Sequence, residues 1–290
     1  MHPILFEIPG LDLPIRAFGL MVAIGFLVGS HLFSKLASRY GDDPKEDPAR
    51  YQSITVWIVV GVILGARLMY VIVEMLRGSE VGQGFLHDPL SILFIWKGGL
   101  VMYGGMIGAI SVGMWAARRH KVRAIHALDL GLVAGFVGQA IGRIGCLLVG
   151  DDYGKVVPER FQWLPFPITL RVPDPLPHDS LFGPENAGKV LWATQPLMMI
   201  KALIVAFVGW QILKRRRYAG QVSLWIILIY AILRSSVELL RGDNVRGVWF
   251  GGAVSTSQIV SMGMATLAIV LLVKNRNTRN PLPDARAPKS

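Results

Sequence analysis

Apolar residues gather in seven stretches, at about 17–37, 53–76, 98–117, 126–149, 192–213, 221–240 and 255–273. Each approaches the ~20 residues a helix needs to cross the hydrocarbon core of a bilayer. The pattern predicts an all-α, polytopic integral membrane protein with seven transmembrane helices. Lysine and arginine are shared unevenly among the connections. Lys35, Arg39, Lys45 and Arg50 follow the first stretch, and Arg118, Arg119, Lys121 and Arg123 follow the third. Lys214, Arg215, Arg216 and Arg217 follow the fifth, and Lys274, Arg276, Arg279, Arg286 and Lys289 follow the last. The alternate connections are sparser, with Arg16, then Arg77 and Lys97, then Lys155, Arg160, Arg171 and Lys189, then Arg241 and Arg246. Basic residues mark the cytoplasmic side, so the N-terminus is expected outside and the C-terminus inside. The longest connection, 150–191, is too rich in proline for a long helix. It reads as a small cap on the outer side, with short strands around "FPITLRV". Residues 1–275 then form one membrane domain, and the polar tail 276–290 reads as a disordered cytoplasmic end.

Composition sharpens this picture. Hydrophobic residues make up 52% and charged residues 17%, against about 25% charged in a soluble globule. Mean hydropathy is +0.47. The net charge of +11 does not make a nucleic-acid binder, because it is dispersed in short clusters between spans instead of forming one basic surface. A single cysteine excludes an intramolecular disulfide. The first apolar run has no basic segment before it and no small-residue cleavage site after it, so a retained span is expected. No His/Cys cluster has metal-ligand spacing, and neither a metal nor a cofactor is expected.

Ionisable groups inside spans are costly and mark functional sites. Arg67 lies in "GARLMY", Arg143 near the outer end of the fourth stretch, and Arg234 and Glu238 in the outer half of the sixth; Tyr103 opens the third. The topology expects these five side chains to converge just below the outer headgroups. Structural alternatives stand beside that reading. Arg67 could anchor at the interface or pair with Glu74, and Arg234 and Glu238, spaced i,i+4, could form an ion pair on one face. Tyr103 could be an interfacial aromatic. Asp129, at the inner end of its stretch, suits a helix N-terminus. Lys201, near the middle of the fifth stretch, has no role assigned. Glycines crowd "WKGGLVMYGGMIGAISVG" and "GLVAGFVGQAIGRIG". Most suit close helix packing, while Gly98–Gly99 and Gly104–Gly105 could also open backbone N–H groups toward an anion. Arginine's planar fork matches phosphate, so arginines beneath the outer headgroups point to an anionic phospholipid.

These residues resemble the prolipoprotein diacylglyceryl transferase family over nearly the whole chain. The resemblance rests on "GGLVMYGGMIG", "GRIGCLLVGDDYGK" and "LRSSVELLRGDN". The family signature reads G-R-x-G-N-x-x-N-x-E-x-x-G; Gly142, Arg143, Gly145 and Gly154 match it. Cys146 and Val149 replace its two asparagines, and Asp151 stands at its glutamate. Arg234, Glu238 and Arg241 fall on an R-x-x-x-E-x-x-R pattern. Tyr103 stands where the family often has histidine, Phe18 where it has tyrosine, and "WATQPLMM" keeps Gln195 and Thr194 of its H-P-x-Q-L-Y-E.

The resemblance implies transfer of the diacylglyceryl group of phosphatidylglycerol to the lipobox cysteine thiol of a preprolipoprotein, with glycerol phosphate leaving. It implies a place in the bacterial inner membrane, with membrane lipids and preprolipoprotein signal peptides as partners. Arg143 and Arg234 would stabilise the phosphate and Glu238 would orient one of them. Arg241, Arg67, Gly104, Gly105, Gly145, Gly154 and Gln195 would line the headgroup site. Tyr103, or alternatively Asp151, would receive the thiol proton. The nucleophilic cysteine belongs to the substrate protein, so Cys146 reads as a packing residue. Two other readings stay open: a non-catalytic paralogue that binds anionic lipid or lipoprotein, and a small-solute transporter. The latter would need a polar path across the whole membrane.

Overall fold

The computed structural model describes residues 2–8, 13–95, 98–242, 248–249 and 254–279. The tail beyond 279, for which disorder is expected, lies outside them. Elements run β1 (Ile4–Ile8), β2 (Leu13–Arg16), α1 (Ala17–Tyr40), α2 (Asp47–Arg77), α3 (Glu80–His87), α4 (Met102–Arg119) and α5 (Ala124–Val149). After a long connection follow β3 (Thr169–Arg171), β4 (Val190–Trp192), α6 (Thr194–Leu213), α7 (Gln221–Glu238), β5 (Val248–Trp249), β6 (Val254–Ser255) and α8 (Thr256–Lys274). Each expected span coincides with a long helix. Among the described residues, six of them, α1, α2, α5, α6, α7 and α8, are long and apolar enough to cross a membrane. The third expected span, α4, falls short of that mark; it is glycine-rich and ends on Arg118 and Arg119.

Burial is inverted relative to a soluble protein. Leu27, Leu64, Leu76, Ile107, Phe207 and Met262 are exposed, whereas Arg67, Asp129, Lys201, Glu238 and Arg241 are buried. Large apolar side chains turned outward, with charge turned inward, suit lipid as the surrounding medium. This is a multi-pass membrane protein.

The described residues divide into two compact units, one within 34–128, and one formed by those of 1–33 with those of 129–279. In the first, α2 and α4 meet through interleaved glycines. A methyl group on Gly61 would run into the Gly108 carbonyl, and one on Gly65 into Gly104 and Gly108. This is the small-xxx-small arrangement that lets helix backbones touch. Gly78, with φ +63°, stops α2, and Ser79 caps α3 by accepting from Gly82 N at 3.1 Å.

In the second unit, Gly25 of α1 meets the Gly138 backbone of α5. Gly209 of α6 lies against Ile226 of α7. Ser255 and Gln258 form a reciprocal capping box at the start of α8. The cap sequence forms the expected short strand: Thr169–Arg171 pairs antiparallel with Val190–Trp192. Val172, Phe182 and Leu191 are its buried core, with Tyr153, Leu170 and Leu176 around them. Asp129 does not cap its own helix, which begins at Ala124. Its carboxylate accepts from Gly220 N at 2.7 Å, Ser223 N at 2.8 Å and Ser223 Oγ at 2.6 Å, so it caps α7. The free N–H groups of a helix start favour a carboxylate wherever in the chain it comes from.

Candidate functional site

The ends of α5, α6 and α7 converge on one loop. Gly150, with φ +80°, stops α5, and Gly150 and Asp151 return their N–H groups to Cys146 O, both at 2.9 Å. Asp152 adopts φ +55°, a left-handed conformation that aspartate tolerates better than most residues. There its carboxylate forms ion pairs with both Arg143 and Arg241. Two side chains at the start of α6 hold the same loop: Thr194 Oγ1 donates to Asp152 O at 2.5 Å, and Gln195 Nε2 to Asp151 O at 2.8 Å. Gln195 is fully buried, and its Oε1 has no partner among the described residues. On α7, Arg234 and Glu238 form the expected i,i+4 pair at 2.5 Å.

Asp151 serves its own turn, accepting from Asp152 N at 2.8 Å. Burial pushes its carboxyl above the usual 3.8, and the neighbouring Asp152 adds to the shift. A raised carboxyl contributes stability that is fully present below its unfolded pKa and lost as pH rises through the folded one. Asp151→Asn is therefore expected to melt higher than wild type near neutrality, with the gain shrinking toward about pH 4. Thermal melts across that range check this.

Gly154 is required as backbone. It bridges to Arg241, and a methyl group there would press on Trp192 O, Trp192 Cβ and Leu240 O. Lys155 N bonds Leu240 O at 2.8 Å and Gly242 N bonds Tyr153 O at 3.1 Å, so the strand is held close on that side. Backbone atoms cannot rotate away. Gly154→Ala is expected to cost about 1–3 kcal/mol, seen as a lowered melting temperature, and to displace Arg241.

Other expected site residues have the following surroundings. Arg67 gives its N–H groups to carbonyls: Nε to Ile92 O at 2.7 Å, Nη1 to Gly98 O at 2.7 Å and Gly99 O at 3.1 Å, and Nη2 to Ser91 O at 3.0 Å. Tyr70 and Phe85 flank the guanidinium at 5.5 and 5.4 Å. Arg67 braces a loop here through four hydrogen bonds. Glu74 lies 3.8 Å from Arg77 and accepts from Ser79. Gly98 and Gly99, at φ +87° and +76°, turn carbonyls toward Arg67, and the Gly98 N–H returns to Ile95 O. Gly104 and Gly105 face α2 inside a continuous helix, and Gly145 faces Phe18 and Met21 of α1; all three serve packing. Tyr103 stands in the first turn of α4, 39% exposed, within the first unit.

Cys146 is buried, with its Sγ 4.0 Å from Arg143 Nη1. Ligand atoms of Cys146, Asp151 and Asp152 lie within 4.8 Å of one another, but two guanidiniums already occupy the Asp152 carboxylate. Asp152 itself escaped sequence reading. The only signal is the doubled aspartate after the helix, and the signature directs attention to the first of the pair.

Helices that turn large apolar side chains outward and keep a partly buried arginine–carboxylate cluster define a multi-pass membrane protein. A family model described as prolipoprotein diacylglyceryl transferase matches residues 3–274, and the chain belongs to that family. It is 30% identical over 283 residues to the phosphatidylglycerol–prolipoprotein diacylglyceryl transferase of Trichormus variabilis, covering 97% of this chain and 92% of the relative. The enzyme of the same name from Clostridium tetani is 32% identical over 276 residues, covering 95% and 97%. That from Geobacter sulfurreducens is 29% identical over 274 residues, covering 94% and 95%.

Proposed function

We propose that this chain transfers the sn-1,2-diacylglyceryl group of phosphatidylglycerol to the lipobox cysteine of a preprolipoprotein. The observation that carries the chemistry is the pair of guanidiniums, Arg143 and Arg241, held on one carboxylate. Each guanidinium gives one N–H to a different oxygen of that carboxylate, and two such donors side by side offer a phosphate two charge-assisted hydrogen bonds. In the reaction the cysteine thiol loses its proton, the thiolate attacks the terminal glycerol carbon, and a C–S bond forms as the C–O bond to phosphate breaks. The electron pair of that bond leaves on glycerol phosphate. Arg143 and Arg241 stabilise the charge that accumulates there, and water exclusion strengthens the effect.

Asp151 is the proton acceptor that the same unit offers, its carboxyl moved upward and so made a better base. Tyr103 remains the other proposed acceptor. The unpartnered Oε1 of Gln195 suits a hydroxyl donor of the glycerol headgroup. Glu238 holds Arg234 in place. The place proposed is the bacterial inner membrane, and the distribution of lysine and arginine supports an orientation with the N-terminus and the cap on the periplasmic side.

The test is purified full-length protein in nanodiscs with phosphatidylglycerol and a lipobox peptide. A thioether-linked diacylglyceryl peptide and an equal amount of glycerol phosphate are expected. Retained phosphatidylglycerol with neither product would instead establish a non-catalytic lipid-binding paralogue.

A further inference from the structure

The cluster contains a cation that the reaction described so far does not use. Lys201 of α6 is 4% exposed and forms no hydrogen bond or ion pair among the described residues. Its Nζ lies 4.3 Å from the centre of the Tyr230 ring, and it is within electrostatic reach of Arg234, Arg143, Arg241 and Asp152. The helix faces explain this placement. Tyr230 and Arg234 are spaced i,i+4 on α7, and Phe136 and Arg143 are spaced i,i+7 on α5, so each pair shares a face. The rings of Phe136 and Tyr230 touch, with centroids 5.4 Å apart. The two arginine-bearing faces therefore meet above an aromatic floor, and the Lys201 amine rests on that floor. At 1.5 Å rise per residue, Lys201 lies ~10 Å into α6 and Arg143 ~9 Å from the end of α5.

Arg143, Arg241, Arg234 and Lys201 face Asp152 and Glu238, both engaged by arginine. Among the described residues, with Asp151 ionised and Lys201 protonated, positive charges outnumber negative ones, and Lys201 is the member that forms no ion pair. A buried cation persists where a ligand completes it or where function maintains it, because burial alone penalises it. We infer that Lys201 is a headgroup-binding residue of this site, contacting the phosphate of an anionic phospholipid from below while Arg143 and Arg241 hold it from the cap side. A phosphate diester brings one negative charge, and the departing monoester brings up to two. The surplus cation is therefore best matched late in the reaction, as the leaving group forms. Phosphate is the chemistry recognised, whether it arrives in a lipid or as free glycerol phosphate. The identification of the leaving group rests on the transferase reading above.

The experiment uses full-length wild type, Lys201→Met and Lys201→Arg in nanodiscs of phosphatidylglycerol and phosphatidylethanolamine. Lipid retention is read by native mass spectrometry, turnover with the lipobox peptide, and product inhibition with sn-glycerol 1-phosphate. Lys201→Met is expected to lose about tenfold in preference for phosphatidylglycerol, equivalent to ~1.4 kcal/mol. It should weaken glycerol phosphate inhibition by a similar factor, yet melt at or above the wild-type temperature. Lys201→Arg is expected to keep the preference. Weakened inhibition with unchanged lipid preference would place the contact on the leaving group, and the converse would place it on the intact lipid. Lys201→Met with wild-type retention, inhibition and turnover would overturn the inference, as would a well-folded Lys201→Arg that loses the preference. If wild type retains phosphatidylglycerol in a Lys201-dependent way but makes no thioether, the transferase reading fails and the Lys201 assignment stands.

Discussion

Replacing Arg143 by alanine is expected to reduce diacylglyceryl transfer by about a hundred- to a thousandfold, the effect of removing one preorganised donor from a site of developing negative charge. The loss should fall mainly on kcat, because charge on the phosphate oxygens is greatest as the C–O bond breaks. Arg143→Lys should recover only part of it. A lysine ammonium restores the charge but not the planar fork that engages two oxygens at once. Steady-state assays of the three proteins over a range of phosphatidylglycerol concentrations check this. Equal kcat in wild type and alanine variant would remove Arg143 from the chemical step. The structure adds a control. Arg143 also pairs with Asp152, so the variant's melting temperature must be measured alongside. A kinetic loss far larger than the stability loss is the expected signature.

The second large effect belongs to Asp152. Its carboxylate is the meeting point of Arg143 and Arg241, and its carbonyl receives Thr194. Asp152→Ala removes the carboxylate that the Arg143 and Arg241 guanidiniums share. Breaking such a pair costs about 3 kcal/mol, the low end of the range for buried ion pairs, because Asp152 keeps 20% of its side chain exposed. The expected result is a clear drop in melting temperature, with a smaller drop for Asp152→Asn, whose amide oxygen still accepts. Inorganic phosphate or phosphatidylglycerol should raise the melting temperature of Asp152→Ala by more than that of wild type. An added anion can take the place of the missing carboxylate, and binding to the native state is linked to its stability. Equal shifts in both proteins would show that the arginine pair does not bind phosphate.

Much of the architecture was legible along the chain because the signals are local. Twenty-residue apolar runs form helices in any lipid-facing setting, since every backbone group must be paired within the segment. All seven expected runs became long helices at nearly the expected limits. Arg234 and Glu238 could be paired from their spacing alone, because four residues on one helix place two side chains on one face. The family signature located the loop after α5, and "FPITLRV" located a strand of the cap.

What the sequence could not supply were partners brought together from distant segments. Asp129 caps a helix 91 residues away, and Arg241 finds its carboxylate across 89. Adjacent aspartates divided their work by backbone direction: a left-handed turn at Asp152 aimed one carboxylate at two arginines, while Asp151 folded back on its own loop. Arg67, which looks like a headgroup ligand in one dimension, donates to the carbonyls of a loop 24 to 32 residues on. The sequence by itself determined the membrane helices, their limits and the short list of charges worth watching, because hydropathy and helical spacing act within a single segment. Only the tertiary structure decided which charges meet. An ion pair depends on the path of the intervening chain and on the direction in which each backbone presents its side chain.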